Sequence, residues 1–320
     1  MSGRYDGLMP TPENKDYRAG FAILVGRPNA GKSTLTNALV GQKVAITSNK
    51  PQTTRHTIRG ILHRPDAQLV LVDTPGLHRP RTLLGQRLND LVAATLSEVD
   101  VIGFCLPANE AVGPGDRFIA QQLALLGRKP IIAVVTKADL VSKEDLGKQL
   151  LSVHAMGQEI LGGDGFRDIV PVSAQDGFQV TTLEDVLISY LPKSPPLYPD
   201  GELTDEPEAV MVAELIREAA LEGVRDELPH SLAVVVEEIV PREGRSEDNP
   251  LLDVRVNLFV ERPSQKAIII GRAGSRLKEV GTRARKGIEA LLGTKVYLDL
   301  HVKVAKDWQR DPKQLGRMGF

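Results

Sequence analysis

The stretch "FAILVGRPNAGKSTLTNALV" (Phe21–Val40) decides how the first half of the chain is read. Five consecutive apolar residues, Phe21–Val25, fit a strand covered on both faces. "LTNALV" (Leu35–Val40) spaces its apolar residues as a helix does. Between them, "GRPNAGKST" (Gly26–Thr34) fits G-x-x-x-x-G-K-[ST] in the strand–loop–helix setting that this pattern requires. Gly26 and Gly31 allow loop N–H groups to turn inward around phosphate oxygens, and the helix start adds its own donors. Lys32 is expected to set a positive charge on the β- and γ-phosphates, and the Ser33 hydroxyl to ligate Mg²⁺. Arg27, Pro28, Asn29, Ala30 and Thr34 complete the expected phosphate-binding set.

Outward from this loop the chain alternates. Further strand patterns are "AQLVLVD" (67–73), "VDVIGFCLP" (99–107), "KPIIAVVTK" (129–137) and "RDIVPVSA" (167–174). Helical patterns lie at 31–40, about 83–97, 115–126, 143–161 and 179–191, with polar stretches at 42–57 and 77–82 interrupting them. Continuous apolar strands alternating with helices predict a doubly wound α/β domain with a parallel sheet.

Strand ends in such a domain carry the ligand chemistry; three more motifs sit there, and a fourth lies in the polar stretch 42–57. "DTPG" offers Asp73 to reach Mg²⁺ through water, followed by Thr74 and Pro75. The Gly76 amide is placed to bond a γ-phosphate. In "PQTTRH" (51–56) a threonine, by preference Thr54, is expected to close on the metal. "TKAD" (Thr136, Lys137, Ala138, Asp139) is the base reader. A carboxylate only accepts hydrogen bonds, guanine offers N1–H and a 2-amino group, and adenine lacks that pair. Asp139 therefore selects guanine, and the Lys137 stem can lie across the base. Ser173 and Ala174 follow a strand, where a backbone amide can meet the guanine carbonyl. The expected catalytic set is Lys32, Ser33, Thr54 and Gly76, and the expected metal set is Ser33, Thr54 and Asp73.

"LPKSPPLYPDGELTDEP" (191–207) contains five prolines and reads as a linker. Beyond it come an amphipathic helix beginning "EAVMVAELIREAAL", a hairpin of "SLAVVVEEIV" and "LLDVRVNLFVE", a helical stretch 266–293, and a last strand "KVYLDLHVKV". The expected division is a flexible leader over 1–17, an α/β domain over 18–191, a linker over 192–207 and a smaller α+β domain over 208–320.

Charge separates the last part. Net charge is −1, yet residues 200–261 carry 17 acidic and five basic side chains, whereas residues 262–320 carry 14 basic and five acidic. A basic end on a near-neutral chain points to a polyanionic partner or a solvated helix face. The single cysteine, Cys105, lies in an apolar run and fits a buried core position in a reducing compartment. No apolar run approaches bilayer length and the first 20 residues lack a signal-peptide core, so a cytoplasmic protein is expected.

With these motifs in order, the first domain resembles a TRAFAC-class GTPase, using GTP and releasing GDP. More narrowly, "GRPNAGKSTLTNAL", "GQKVAITSNKPQTTRHTIRGI" and "VDTPGLH" resemble the bacterial Era family. That resemblance implies a P-loop GTPase domain followed by a KH domain. "IIIGRAGSRLKEVG" would then supply the G-x-x-G loop Gly271-Arg272-Ala273-Gly274, with Lys266, Ser275, Arg276, Lys278 and Arg283 as further RNA contacts. A KH loop clamps about four nucleotides of single-stranded backbone. The implied partner is the 3′ region of small-subunit (16S) ribosomal RNA, and the implied role is assembly of the small ribosomal subunit. A monomer, and association with the inner face of the cell membrane, are carried as further expectations.

Three departures qualify the resemblance. Thr136 stands where Asn is usual and loses an amide that braces the phosphate loop. Leu77 stands where many GTPases carry a water-orienting Gln, so slow intrinsic hydrolysis is expected. The G-x-x-G loop holds "RA" rather than a lysine. Asn29 either braces the loop or, as in related GTPases, holds K⁺ near the phosphates. Two other readings stay open: a tRNA-modification-type GTPase, although "KQLGRMGF" lacks the cysteine that type carries, and an RNA-binding protein holding GTP only structurally.

Overall fold

The computed structural model describes residues 16–47, 54–77, 80, 82–127, 129–163, 165–224, 231–245 and 249–320. These residues divide into two compact units. The first takes the described residues within Met1–Val44, Ile58–Asp73 and Ala94–Asp205, and the second those within Ala45–Thr57, Thr74–Ala93 and Glu206–Phe320.

The first unit is built on a six-stranded sheet of order β2-β3-β1-β4-β5-β6. Its strands are β1 (Arg18–Val25), β2 (Ile58–His63), β3 (Ala67–Asp73), β4 (Val101–Pro107), β5 (Ile131–Thr136) and β6 (Asp168–Pro171). All pairings are parallel except β2 with β3. Every residue of β3, β4 and β5 is buried, as their unbroken apolar runs predict. Around the sheet come α1 (Lys32–Val40), α3 (Pro114–Ala124), α4 (Lys143–Leu161) and α5 (Val180–Ser189), while α2 (Leu83–Glu98) begins among residues of the second unit. β1 lies between β3 and β4, so its carboxyl end sits where the strand order reverses, the usual ligand crevice of such sheets.

The antiparallel edge strand β2 is absent from the sequence reading. The proline-rich segment is also more than a spacer. Leu203 O accepts from Ile61 N–H of β2 at 2.9 Å, the Gln68 side chain accepts from the N–H groups of Leu197 and Tyr198 at 2.6 and 3.0 Å, and Arg59 pairs with Asp205 at 2.9 Å. Residues 197–205 thus lie along the β2–β3 edge. The proposed leader falls almost wholly outside the described residues; of its last two, Tyr17 is buried. Cys105 is fully buried as expected, and burial pushes its thiol up to about 12.

In the second unit, α6 (Glu208–Leu221), α7 (Pro263–Ile270) and α8 (Ser275–Leu292) share a core with the sheet β7-β8-β9, formed by Ala233–Pro241, Leu251–Val260 and Lys295–Val304. β7 and β8 make the predicted antiparallel hairpin, with a bulge at Val236/Glu238, and β9 runs parallel to β8 over ten residues. Val254, Val256, Leu258 and Val260 alternate inward along β8. The end of the chain, beyond the last expected strand, forms further structure. It forms α9 (Pro312–Arg317), and Trp308 and Leu315 are fully buried beside Leu84 and Leu88 of α2. No described helix is long and apolar enough to cross a membrane.

Candidate nucleotide site and nucleic-acid interface

The phosphate loop joins β1 to α1 with the backbone its glycines permit. Gly26 has φ 156, and a Cβ there would lie 2.7 Å from the Cys105 carbonyl oxygen, so only glycine fits. Gly31 is left-handed at the start of α1, which has no side-chain cap, leaving the first helical N–H groups for a ligand. Lys32 is buried, and its ammonium donates to Gly26 O at 3.2 Å and Arg27 O at 3.0 Å. Burial lowers its pKa, and the nearby Asp73 carboxylate works against that. The loop is therefore folded around a desolvated cation.

Ser33 Oγ donates to Asp73 Oδ2 at 2.7 Å, and Asp73 ends β3 fully buried. Two hard oxygen donors converging in this way suit a small divalent cation such as Mg²⁺. Thr136 ends β5 and donates its hydroxyl to Ala30 O at 2.7 Å. The brace expected to be lost with the asparagine is thus supplied by the threonine hydroxyl, since one short donor suffices at this separation.

A cavity of about 320 Å³ adjoins the loop, and its walls include Gly31, Thr34, Lys137, Asp139 and Ala174. Asp139 is exposed there, and Lys137 has a left-handed backbone with φ 57. Ser173 is buried, and its N–H donates to Phe178 O at 3.0 Å. Asn29, also left-handed, is exposed on the phosphate loop. The first unit so brings Gly26–Thr34, Asp73, Thr136–Asp139 and Ser173–Ala174 to one end of its sheet.

Thr54, Thr74, Pro75 and Gly76 are all buried and group with the second unit. Their neighbours in sequence are anchored there. Arg55 donates to Leu232 O at 2.5 Å with its guanidinium 5.6 Å from the Trp308 ring, and His56 stacks on Phe320 at 5.0 Å. Arg217 forms a buried two-point pair with Glu214 at 2.7 and 2.8 Å, beside Arg55. Leu77 is buried too. Pro51, Gln52, Thr53 and His78 of the quoted motifs lie outside the described residues.

The G-x-x-G stretch links α7 to α8. Gly271 has φ 72, and a Cβ there would approach Arg276 Cβ to 2.7 Å; Ala273 is left-handed at φ 50. Arg272, Ala273, Ser275 and Lys278 are exposed, and Lys266 is half-buried. Two expected contacts also bond within the unit. Arg276 donates to Glu222 O at 2.7 Å, closing the end of α6, and Arg283 pairs with Glu222 and, at 2.6 Å, with Glu279. Both arginines thus link α8 to the end of α6, which leaves carbonyls and a carboxylate within their reach.

Residues 21–137 match the family described as 50S ribosome-binding GTPase, and residues 227–309 match the KH domain family. GTPase Era of Streptomyces coelicolor is 69% identical over 309 residues, covering 97% of each chain. This chain belongs to the Era GTPase family. GTPase Era of Mycolicibacterium smegmatis is 67% identical over 95% of this chain and 99% of its own. Era in complex with MgGDPNP and nucleotides 1506–1542 of 16S ribosomal RNA matches with a TM-score of 0.88 at 38% identity, over 95% of this chain and 99% of that one. An Aquifex aeolicus Era variant bound to GDP·AlF₄⁻ gives 0.87 at 37%, over 94% and 99%. The Era match agrees with the expected architecture, a mixed α/β P-loop domain followed by a KH domain. What motif reading missed are the carboxylates that steady the loops, Glu110 and Asp116, which no spacing in the sequence reveals.

Proposed function

We propose that this chain hydrolyses GTP and uses its nucleotide state to control binding of small-subunit ribosomal RNA through the KH unit, in assembly of that subunit. One observation carries the reading. A phosphate loop folded around a buried lysine and an exposed G-x-x-G loop occur in one chain, in the order and over the length of Era proteins. One such protein is seen with MgGDPNP and nucleotides 1506–1542 of 16S ribosomal RNA.

In this reading Gly26–Thr34 wraps the phosphates, and Lys32 turns its ammonium from two loop carbonyls to the β- and γ-oxygens. Ser33, Asp73 and Thr54 hold Mg²⁺, which supplies charge neutralisation at the phosphates when bound. Asp139 accepts from guanine N1–H and the 2-amino group, Lys137 covers the base, and an amide at Ser173–Ala174 meets its carbonyl. Gly76, with Thr74 and Pro75, reports the γ-phosphate through its amide. The Leu77 side chain has no polar atom with which to orient water, so intrinsic turnover is slow; K⁺ held at Asn29 would add charge stabilisation. Lys266, Gly271–Ser275, Arg276, Lys278 and Arg283 contact RNA, Arg276 and Arg283 while also bonded to the end of α6. The chain acts as a cytoplasmic monomer.

Phosphate release measured with and without a 16S 3′ segment tests this. RNA-stimulated turnover supports the switch. Tight GTP binding without turnover would leave a nucleotide that only stabilises the fold.

A further inference from the structure

The turn between β4 and α3, "PANEAVGPGD" (Pro107–Asp116), carries two carboxylates outside every motif read from the sequence. Asp116 is 1% exposed; its Oδ2 accepts from Gly113 N–H at 2.9 Å and its Oδ1 from Arg27 Nε at 2.7 Å. Arg27 Nη2 lies 3.1 Å from Glu110 Oε2, and Glu110 Oε1 lies 3.9 Å from Lys137 Nζ. One carboxylate thus stands between an arginine of the phosphate loop and the lysine of the base loop.

The turn is held firmly enough to act as a reference point. Gln149, buried on α4, donates to Pro107 O at 3.1 Å and to Glu110 O at 2.8 Å. A Cβ at Gly115 would come within 2.8 Å of Arg27 Cδ, so the arginine stem fills the space that glycine leaves. At the other end, Lys137 lines the cavity beside Asp139. Arg27 is anchored by the nearly inaccessible Asp116, Glu110 by Arg27, and Lys137 by Glu110.

We infer that Glu110 is a positioning residue for guanine-nucleotide binding. By bridging Arg27 and Lys137 it fixes the lysine stem at the cavity wall and ties it to the phosphate loop. This rests on the reading of that cavity as the base site given above. A lysine has a flexible four-carbon stem. Holding its ammonium beforehand reduces the rotamer freedom that nucleotide binding must remove. The Glu110–Lys137 pair is partly exposed, so its loss weakens binding by only about two- to fivefold.

The test is a double-mutant cycle on the full chain with GDP as the titrant. Glu110→Gln should raise the GDP Kd by about two- to fivefold, as expected for a partly exposed ion pair, while kcat at saturating GTP stays at the parent value. In a Lys137→Ala background the same change should add nothing. An unchanged Kd in Glu110→Gln overturns the proposal. So does an equal effect in both backgrounds, which would place Glu110's action elsewhere, or a fall in kcat matching the loss of affinity. A parent protein that binds ADP as tightly as GDP would overturn the base-site reading itself, a result distinct from all three.

Discussion

The two glycine loops of this chain share a backbone design and differ in what fills them. Both stand before a helix, both begin with a glycine whose Cβ would collide with its surroundings, and both contain one left-handed non-glycine residue, Asn29 or Ala273. The phosphate loop closes on the buried Lys32 and is braced by Thr136 and, through Arg27, by Asp116. The G-x-x-G loop presents Arg272 and Ala273 to solvent, while Arg276 just after it bonds to the end of α6. The first loop is preorganised around its charge before any anion arrives. The second is a rigid turn whose charge is free to meet an extended polyanion. Preorganisation of the first kind suits catalysis, and exposure of the second kind suits backbone recognition.

Base selection should give the largest effect at the first loop's end of the sheet. Asp139→Asn should exchange preference from GTP to XTP, because asparagine opposes its own donors to the guanine amino group. Mismatched buried hydrogen bonds of this kind change discrimination by about 10⁴-fold. Competitive titration with both nucleotides checks it, and a variant still preferring GTP would remove Asp139 as the reader.

Next come the charge and hydroxyl inside the phosphate loop. Lys32→Ala and Ser33→Ala should each reduce GTP hydrolysis by roughly 10²-fold or more, as removal of transition-state electrostatic contacts does. Only Ser33→Ala should also shift the Mg²⁺ titration. Identical titrations for that variant and the parent would take Ser33 out of the metal shell.

A smaller effect sharpens the bracing half of the comparison. Thr136→Val keeps the shape but leaves Ala30 O without its hydroxyl donor, at a cost of about 1–3 kcal/mol. GDP affinity should fall about tenfold, whereas Thr136→Asn should keep most of it. Equal GDP affinities for Thr136→Val and the parent would show that the brace is idle.

The smallest effect belongs to the second unit. Burial holds His56 below its ordinary pKa of 6.5, with Arg217 and Arg55 acting in the same direction against Glu214. The folded state therefore keeps a neutral imidazole while the unfolded chain takes up a proton. Stability should be fully present above pH 6.5 and decline as pH falls from there toward the folded value. His56→Gln should flatten that slope in urea titrations between pH 7.5 and about 5.

The parallel strands and the motif residues were legible because each rests on local pattern, a long apolar run or a glycine required by backbone geometry. β2 was not, since "IRGILH" mixes buried and half-buried positions at a sheet edge and lacks an unbroken apolar run. The ordered end of the chain was missed for a related reason. Trp308, Leu315, Met318 and Phe320 are scattered among charges, and what buries them lies far away in sequence. Among site residues, Thr136 as a brace and the Asp116–Arg27 link depend on contacts across 106 and 89 residues, which no local spacing encodes. That Arg276 and Arg283 also bond to the end of α6 was not legible, because a basic helix face says nothing about carboxylates or carbonyls that reach it from elsewhere in the chain.

The central claim is that one loop serves nucleotide and the other serves RNA. It is tested most directly by measuring RNA affinity and GDP affinity on one variant, Arg272→Asp combined with Ala273→Asp. Both glycines are kept, so the turn can still form, and two negative charges replace the surface that meets the RNA backbone. RNA binding should be lost, with any residual binding showing a shallower dependence on salt. GDP affinity should stay within about twofold of the parent, because the two loops belong to different units, and stimulation of hydrolysis by RNA should disappear. Undiminished RNA binding, or a loss of GDP binding together with RNA binding, would contradict the account.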